Sequence, residues 1–356
     1  MKVNPKLTAD DIIAQAYARR QAKKDPALHN YQAPLGYHLR GVSTLINKDG
    51  NVTQTWVKTQ KSLEDPQAIL DAFQVAMAER DIKVAPEIKL VEKDHNEDLL
   101  ATYVIGDAHI GMLAWKDEAG EDFDLKIAEE TLVAAINKLV GLAPASEQAL
   151  LINLGDFFHA DNNAARTEQS GAQLDVDSRW AKVMRIGINI MIQCINCALE
   201  KHKKVTLINS IGNHDNYSSS MLSLCLAHHY QNNPRVFIDT APTPFHWFEF
   251  GKCLLAVHHG HNVKPENLPL LMATDKKDAW ARSTNTTRQW YLGHLHSLIS
   301  REYPGCMVET FRTLAAKDAW HNSKGYRSGR ELVCDIWHKE HGKLTRHIVG
   351  ISQIIK

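Results

Sequence analysis

Three short apolar runs, LLATYVIG, ALLINLG and KVTLINSIG, each end in a glycine that is followed at once by acidic, amide or imidazole residues. Runs of that length and composition are buried strands, and helical segments near 125–141 and 178–200 separate them. Apolar strands alternating with helices specify an α/β domain. Open α/β sheets place their ligands just beyond the carboxyl ends of the strands, so the polar residues after each glycine stand where a site forms. After residue 235 the chain is richer in strands (PFHWFEF, KCLLAVHHG, RQWYLGHLH, CMVETFR, ELVCDIWH, HIVGISQII), which predicts a second sheet packed on the first. Neither an internal repeat nor a low-complexity tract interrupts the pattern.

At 356 residues the chain has room for a main domain and a smaller appendage. Residues 8–24 read as a helix opened by Thr8, Asp10 and Asp11. GYHLRGVSTLI and NVTQTWVKTQ read as a hairpin turning at Asp49 and Gly50, and residues 65–80 as a second helix. These make an N-terminal α+β accessory module, 1–95, separated by the charged stretch KDHNED from a catalytic domain, 99–356. With 44% hydrophobic and 23% charged residues the chain is not a disordered one. Its formal net charge is zero, so a polyanionic partner has to be met by a local basic surface or by metal. The N-terminus is charged and no stretch reads as long and apolar enough to cross a bilayer, which points to the cytoplasm. The six cysteines are scattered as buried thiols are, and Cys194 and Cys197, although spaced CxxC, fall in a helix with no second CxxC to complete a zinc site.

Chemistry concentrates in five turns. In GDAHIG, Asp107 and His109 alternate on an extended segment and can face one cation. Asp156 in NLGDFFHAD is a carboxylate with two oxygens, able to bridge two cations. IGNHD supplies Asn213 as a neutral oxygen ligand and His214 as a titratable imidazole. HHGH at 258–261 and GHLH at 293–296 follow further apolar strands. Scattered histidines such as His202, His228, His229 and His341 are ordinary structural or surface residues, but five Asp- or His-rich turns at strand ends are not.

The ordered set GDAHIG, GDFFH, GNHD, HHGH and GHLH resembles the calcineurin-like metallophosphoesterase superfamily over roughly residues 99–300. That resemblance implies a two-sheet α/β/β/α sandwich with a dinuclear centre at one edge. Carried onto this chain, it assigns one cation to Asp107, His109, Asp156 and His296. The other goes to Asp156 as bridge, Asn213, His294 and a histidine of HHGH; the family places its ligand histidine directly before a glycine, which favours His259 over His258. His214 corresponds to the catalytic histidine, a proton donor rather than a ligand. Two divalent cations, Mn²⁺ by analogy with Mg²⁺, Fe or Zn²⁺ as alternatives, acidify a water and neutralise phosphoryl oxygens.

The second motif lacks the GDxxDRG pattern of the protein phosphatases, and its GDxxH form resembles the SbcD-type DNA exonucleases, in which the residue matching His159 helps to handle DNA. Arg312, Lys317, Lys324, Arg327 and Arg330, interleaved with Trp320, His321 and Tyr326, form a basic and aromatic segment suited to phosphates and bases. The expectation is a phage-type nuclease acting on DNA, with a nucleotide or cyclic-nucleotide phosphodiesterase as the alternative. A non-catalytic scaffold would leave the whole set idle. The N-terminal module, with Arg19, Arg20, Lys23, Lys24 and Trp56, reads as a DNA-binding, partner-binding or homodimerising element.

Overall fold

Strands buried on both faces need cover on both sides, and the protein provides it with two sheets. The computed structural model describes residues 37–47, 49, 51–61, 88–90, 94–167 and 171–355. The chain divides into two units, Met1–Arg80 and Asp81–Lys356. In the first, β1 (Tyr37–Ile46) pairs antiparallel with β2 (Val52–Lys61) as the hairpin expected there. Asn47 closes the turn, its Oδ1 accepting the N–H groups of Asp49 (3.0 Å) and Asn51 (2.9 Å). The helices expected at 8–24 and 65–80 lie outside the described residues.

In the second unit β3 (Asn96–Ile105), β4 (Ser146–Asn153), β5 (Lys204–Asn209) and β6 (Val236–Ile238) run parallel. The helices α1 (Leu125–Leu142), α2 (Trp180–Lys201) and α3 (Asn216–His229) connect them. A second sheet has the order β10 (Ile299–Tyr303), β11 (Cys306–Thr310), β9 (Arg288–Leu292), β8 (Cys253–His258), β7 (His246–Phe250), with β8, β9 and β11 parallel. Leu100, Val104, Leu150 and Ile152 of the first sheet meet Leu255, Val257 and Tyr291 of the second in one core. The outer face of the second sheet, Leu254, Ala256 and Trp290, is covered by Leu268 and Met272 of α4 (Leu268–Asp275) and Ala279 of α5 (Lys277–Arg282). The α/β/β/α sandwich is therefore present.

Two expectations need correction. The last strands, β12 (Glu331–His338) and β13 (Gly342–Gly350), do not extend the second sheet; β12 pairs antiparallel with β3, giving the first sheet the order β13-β12-β3-β4-β5-β6. Ions explain part of this. Arg346 of β13 binds Asp335 of β12 through Nε (2.6 Å) and Glu309 of β11 through Nη1 (2.6 Å), so its fork ties an edge of one sheet to the other. The second correction is α2, which by length and composition alone would cross a bilayer. Half of that apolar window is buried here. Val183, Gly187, Ile190, Cys194 and Ala198 form its buried stripe, and α2 packs on α1 and on β4 and β5. All six cysteines are unpaired.

His202, at the end of α2, is fully buried and joins three elements: Nε2 lies 2.7 Å from Tyr103 Oη, and Nδ1 lies 2.9 Å from Ser146 Oγ. Burial lowers its pKa to about 4. The unfolded state takes up this proton near pH 6.5 and the folded state only near pH 4, so the neutral ring stabilises the fold above that window and the contribution falls as pH drops through it. At about pH 5 the cost is about 2 kcal/mol. Urea unfolding of the parent and of His202→Gln is expected to show a deficit for the variant at about pH 7.5 that shrinks by about 2 kcal/mol at about pH 5. A pH-independent deficit would exclude a buried neutral imidazole.

Candidate metal centre

All five expected turns lie at the carboxyl ends of parallel strands. Asp107 and His109 follow β3, Asp156 follows β4, and Asn213 and His214 follow β5. His259 follows β8 of the second sheet, and His294 and His296 follow β9. The loops keep the order of the strands beyond the strands themselves: Leu154 N–H donates to Ile105 O, His109 N–H to Asp156 O (3.0 Å) and Gly293 N–H to His259 O (2.9 Å). Positive φ is rare for residues with a side chain. Among the described residues it occurs at Asp107, His109, Asp156, His294, His296 and, outside this group, Ala165. Such backbone costs about 1–3 kcal/mol per residue and persists where surrounding structure holds it.

Two donor sets result. In one, Nε2 of His109 and Nε2 of His296 lie 3.1 Å apart, and His296 Nε2 lies 3.5 Å from Asp107 Oδ1. In the other, His259 Nε2 lies 3.2 Å from Asp156 Oδ2 and 3.1 Å from Asn213 Oδ1, with His294 completing the group. Within each of the sets Asp107, His109, His296 and Asp156, His259, His294, the ligand atoms are within 4.8 Å of one another. One ring is oriented from outside: His259 Nδ1–H donates to Leu154 O (2.9 Å), which turns Nε2 toward the carboxylate and amide oxygens, where it would be the ligand atom once a cation displaced its proton.

Asp215 is the hub beneath the loops. Its carboxylate accepts the N–H groups of Asp156 (3.1 Å), Phe158 (3.0 Å) and Gly212 (3.0 Å) and the hydroxyl of Ser219 (2.7 Å). Burial, and then the neighbouring Asp156, push its pKa up to about 7. Asp161, the last residue of the second motif, accepts from Tyr217 N–H (2.9 Å) and Ser218 N–H (2.7 Å) and so anchors the second loop to the start of α3. The glycines are there because carboxylates approach their backbones. A Cβ on Gly212 would meet Asp156 Oδ1 at 2.0 Å, and one on Gly293 would meet Asp107 Oδ2 at 2.7 Å.

These donors call for positive charge. Asp107 is buried and its Oδ2 has no partner among the described residues. Burial would lower the pKa of His259, but Asp156 and Asp107 override it and raise the pKa to about 10. Burial, then crowding by His296, His214 and His159, holds His109 well below its ordinary value, so it stays neutral with a lone pair to offer. An anionic, buried and convergent set of oxygen and imidazole donors fits divalent cations of the Mn²⁺ or Zn²⁺ kind.

His214 stands against this wall. Its N–H donates to Asp156 Oδ1 (2.8 Å), and its ring lies 5.0 Å from that of His109. His159 is buried, stacked on His214 at 5.4 Å, with Nδ1 3.1 Å from His109 Nδ1. Its pKa is lowered to about 3, first by burial and then by His214. His258 ends its strand with Nδ1 on Pro244 O (3.0 Å). The basic segment divides. Arg312 pairs with Glu331 (2.9 Å), Arg330 with Glu121 and with Leu314 O, and Lys317 Nζ donates to Ala119 O (2.8 Å), whereas Lys324 and Arg327 are exposed.

Sequence reasoning passed over Asp318 and named His321 only as one ring of the basic and aromatic segment. Asp318 Oδ1 lies 2.7 Å from His321 Nδ1, and the His321 ring stacks on His296 at 4.9 Å. Neither occupies a strand end, and the one signal was their place in the segment that already held Trp320 and Tyr326.

No protein-family model and no curated protein matches the chain. Solved structures do. A conserved protein of Streptococcus pneumoniae TIGR4, described as a predicted phosphoesterase, is 11% identical with TM-score 0.27, covering 71% of this chain and 98% of its own. Vps29 of Entamoeba histolytica complexed with Zn²⁺ is 12% identical with TM-score 0.29, covering 70% and 98%. PhoD is 6% identical with TM-score 0.32, covering 74% and 70%. All three are distant in sequence and loose in superposition.

Gly212→Ala tests the close approach to Asp156. The added methyl is expected to displace the carboxylate and remove at least one metal equivalent by elemental analysis, with the far-ultraviolet circular dichroism unchanged. Gly141→Ala, whose Cβ would meet nothing within 4 Å, is the control and keeps the parent's metal content. Full metal content in Gly212→Ala would show that the carboxylate has another place to go.

Proposed function

We propose that the chain is a dinuclear-metal phosphodiesterase that acts on DNA, with Asp107, His109, Asp156 and His296 holding one cation and Asp156, Asn213, His259 and His294 the other. Mn²⁺ is the metal this reading assigns, and the cytoplasm the compartment. Cations held there supply the Lewis acidity that makes water nucleophilic near neutral pH and screens the phosphoryl oxygens. The observation that carries the reading is the placing of His214. Its Nδ1 lies 2.9 Å from His159 O, and because a carbonyl only accepts, Nδ1 bears the hydrogen. Nε2 is then the nitrogen left for the substrate, and in the protonated ring it donates to the leaving oxygen. His159 orients His214 through its carbonyl and His109 through its ring, so it acts as a positioning residue.

DNA is favoured by the rim. Rings run outward from His296 to His321 (4.9 Å) and from His321 to Trp320 and Tyr326 (5.0 Å each), ending in a tryptophan 55% exposed beside exposed Lys324 and Arg327. Bases stack on such rings whatever their sequence. A second reading, hydrolysis of a nucleotide or cyclic nucleotide, is favoured by a different observation: Arg312, Lys317 and Arg330 are already bonded within the protein and offer a DNA backbone little.

His214→Ala is expected to keep the metal content and to slow cleavage of single-stranded DNA by about 10²–10⁴-fold in Mn²⁺. Hydrolysis of bis-p-nitrophenyl phosphate, whose leaving group needs no proton, falls less. Loss of metal, or an equal fall on both esters, would place His214 among the ligands. A parent that cleaves cyclic dinucleotides and leaves linear single-stranded and duplex DNA intact would decide for the second reading.

A further inference from the structure

A cavity of about 790 Å³ opens beside the centre. One wall is main chain that the site already fixes, since Ile110 and Gly111 follow His109 and Ala160 follows His159. Substrate sites commonly occupy roughly 300–1,000 Å³, largely apolar with a few polar groups that set orientation. The opposite wall is the start of α2, where Arg179, Trp180 and Lys182 line the cavity. Arg179 and Lys182 are exposed; the Arg179 guanidinium has no hydrogen-bond or ion-pair partner among the described residues, and Lys182 Nζ reaches only Ser178 Oγ at 3.3 Å. The carboxylate in the lining, Asp177, is turned to the N–H of Leu125 (3.2 Å). The first turn of α2 carries no acid, and no ion pair to Arg179 or Lys182 occurs among the described residues.

The remaining groups suit a nucleotide. Trp180 is half-buried and its Nε1–H donates to Ser218 Oγ (2.9 Å), which holds the indole in place. Asn163 Oδ1 accepts from Trp180 N–H (3.0 Å) and Asn162 Oδ1 from Ala164 N–H (2.8 Å), leaving both amide NH₂ groups to donate. Two cations, two amide donors and a fixed aromatic ring match one phosphate, one sugar and one base. We infer that this cavity is the subsite for the nucleotide that flanks the scissile phosphodiester, with Arg179 and Lys182 on its second phosphate. The inference rests on the phosphodiesterase reading above and narrows its substrate to a diester bearing a further phosphate one nucleotide away.

Calorimetric titration of the full chain in Mn²⁺ buffer tests it, with thymidine 3′,5′-bisphosphate and thymidine 5′-monophosphate as probes. The parent is expected to bind the bisphosphate at least about ten-fold more tightly, a preference weakened by salt. The double variant Arg179→Gln, Lys182→Gln, both positions exposed, is expected to lose that preference. Equal binding of the two probes by the parent, or a preference retained in the variant, would overturn the subsite. The two readings fail separately: a parent that keeps the bisphosphate preference but cleaves no DNA overturns the nuclease assignment alone. One that cleaves oligonucleotides without any such preference overturns the subsite alone.

Discussion

Buried lone pairs aimed at one another are the constraint on which the rest of this structure depends. Asp107, Asp156, Asn213 and the imidazoles of His109, His259, His294 and His296 meet where two sheets end, buried or partly buried, with no Lys or Arg ion-paired to the carboxylates among the described residues. Buried charge is tolerated only when it is paired, and here the pairing is partial: His259 takes a proton from solvent because two carboxylates demand it. Divalent cations held between these donors would balance the buried charge and stabilise the folded chain by mass action.

Holding that site together takes structure well below it. Left-handed backbone at Asp107, His109, Asp156, His294 and His296 is unfavourable residue by residue. The opposing terms are particular ones. Asp215 gathers three N–H groups from the second and third loops, Thr313 Oγ1 donates to Asp107 O (2.7 Å), and Asp161 ties the second loop to α3. The two sheets keep their ends level through a shared core, and Arg346 joins Asp335 and Glu309 across the edge where that core thins. Removing one partner from such a group costs far more than the pair itself contributes, because the others are left charged and buried.

The strand-end turns were legible because their geometry is written in residue types: a carboxylate that comes within contact distance of a backbone leaves room for glycine and nothing larger, as Gly212 and Gly293 show. The strands were legible because β3, β4, β5 and β8 each carry a short, largely apolar run that is buried toward the strand's carboxyl end. Other features had no such signature. The buried face of α3 carries Ser218, Ser219 and Ser223 among its apolar residues, which blurs its period. Nothing local tells β12 which sheet to join, because both neighbours would bury Val333 and Trp337. Asp215, the last residue of IGNHD, carried no role in the sequence, although its carboxylate pins the loops. Charge was visible at Arg312 and Arg330, but Glu331 and Glu121, the partners that engage them, are distant or anonymous in sequence.

On the proposed reading, substrate selection by this centre is a question of its two flanks, because the donor sets and His214 would act on any phosphoester that reached them. On the His296 side the rim is aromatic, with Trp320 and Tyr326 around His321 and exposed charge at Lys324 and Arg327. On the His159 side it is a cavity lined by Arg179 and Lys182, with no ion pair on either among the described residues. A small monoester would use neither. On the reading proposed above, a chain of nucleotides would use both at once, with a base on the rings and the next phosphate in the cavity. Arg179, Lys182 and Trp320 are exposed or half-exposed, carry little packing, and stand next to the most strongly constrained backbone in the protein. That juxtaposition separates the two tasks: the rigid loops fix where phosphorus must lie, and the flanks fix what is attached to it.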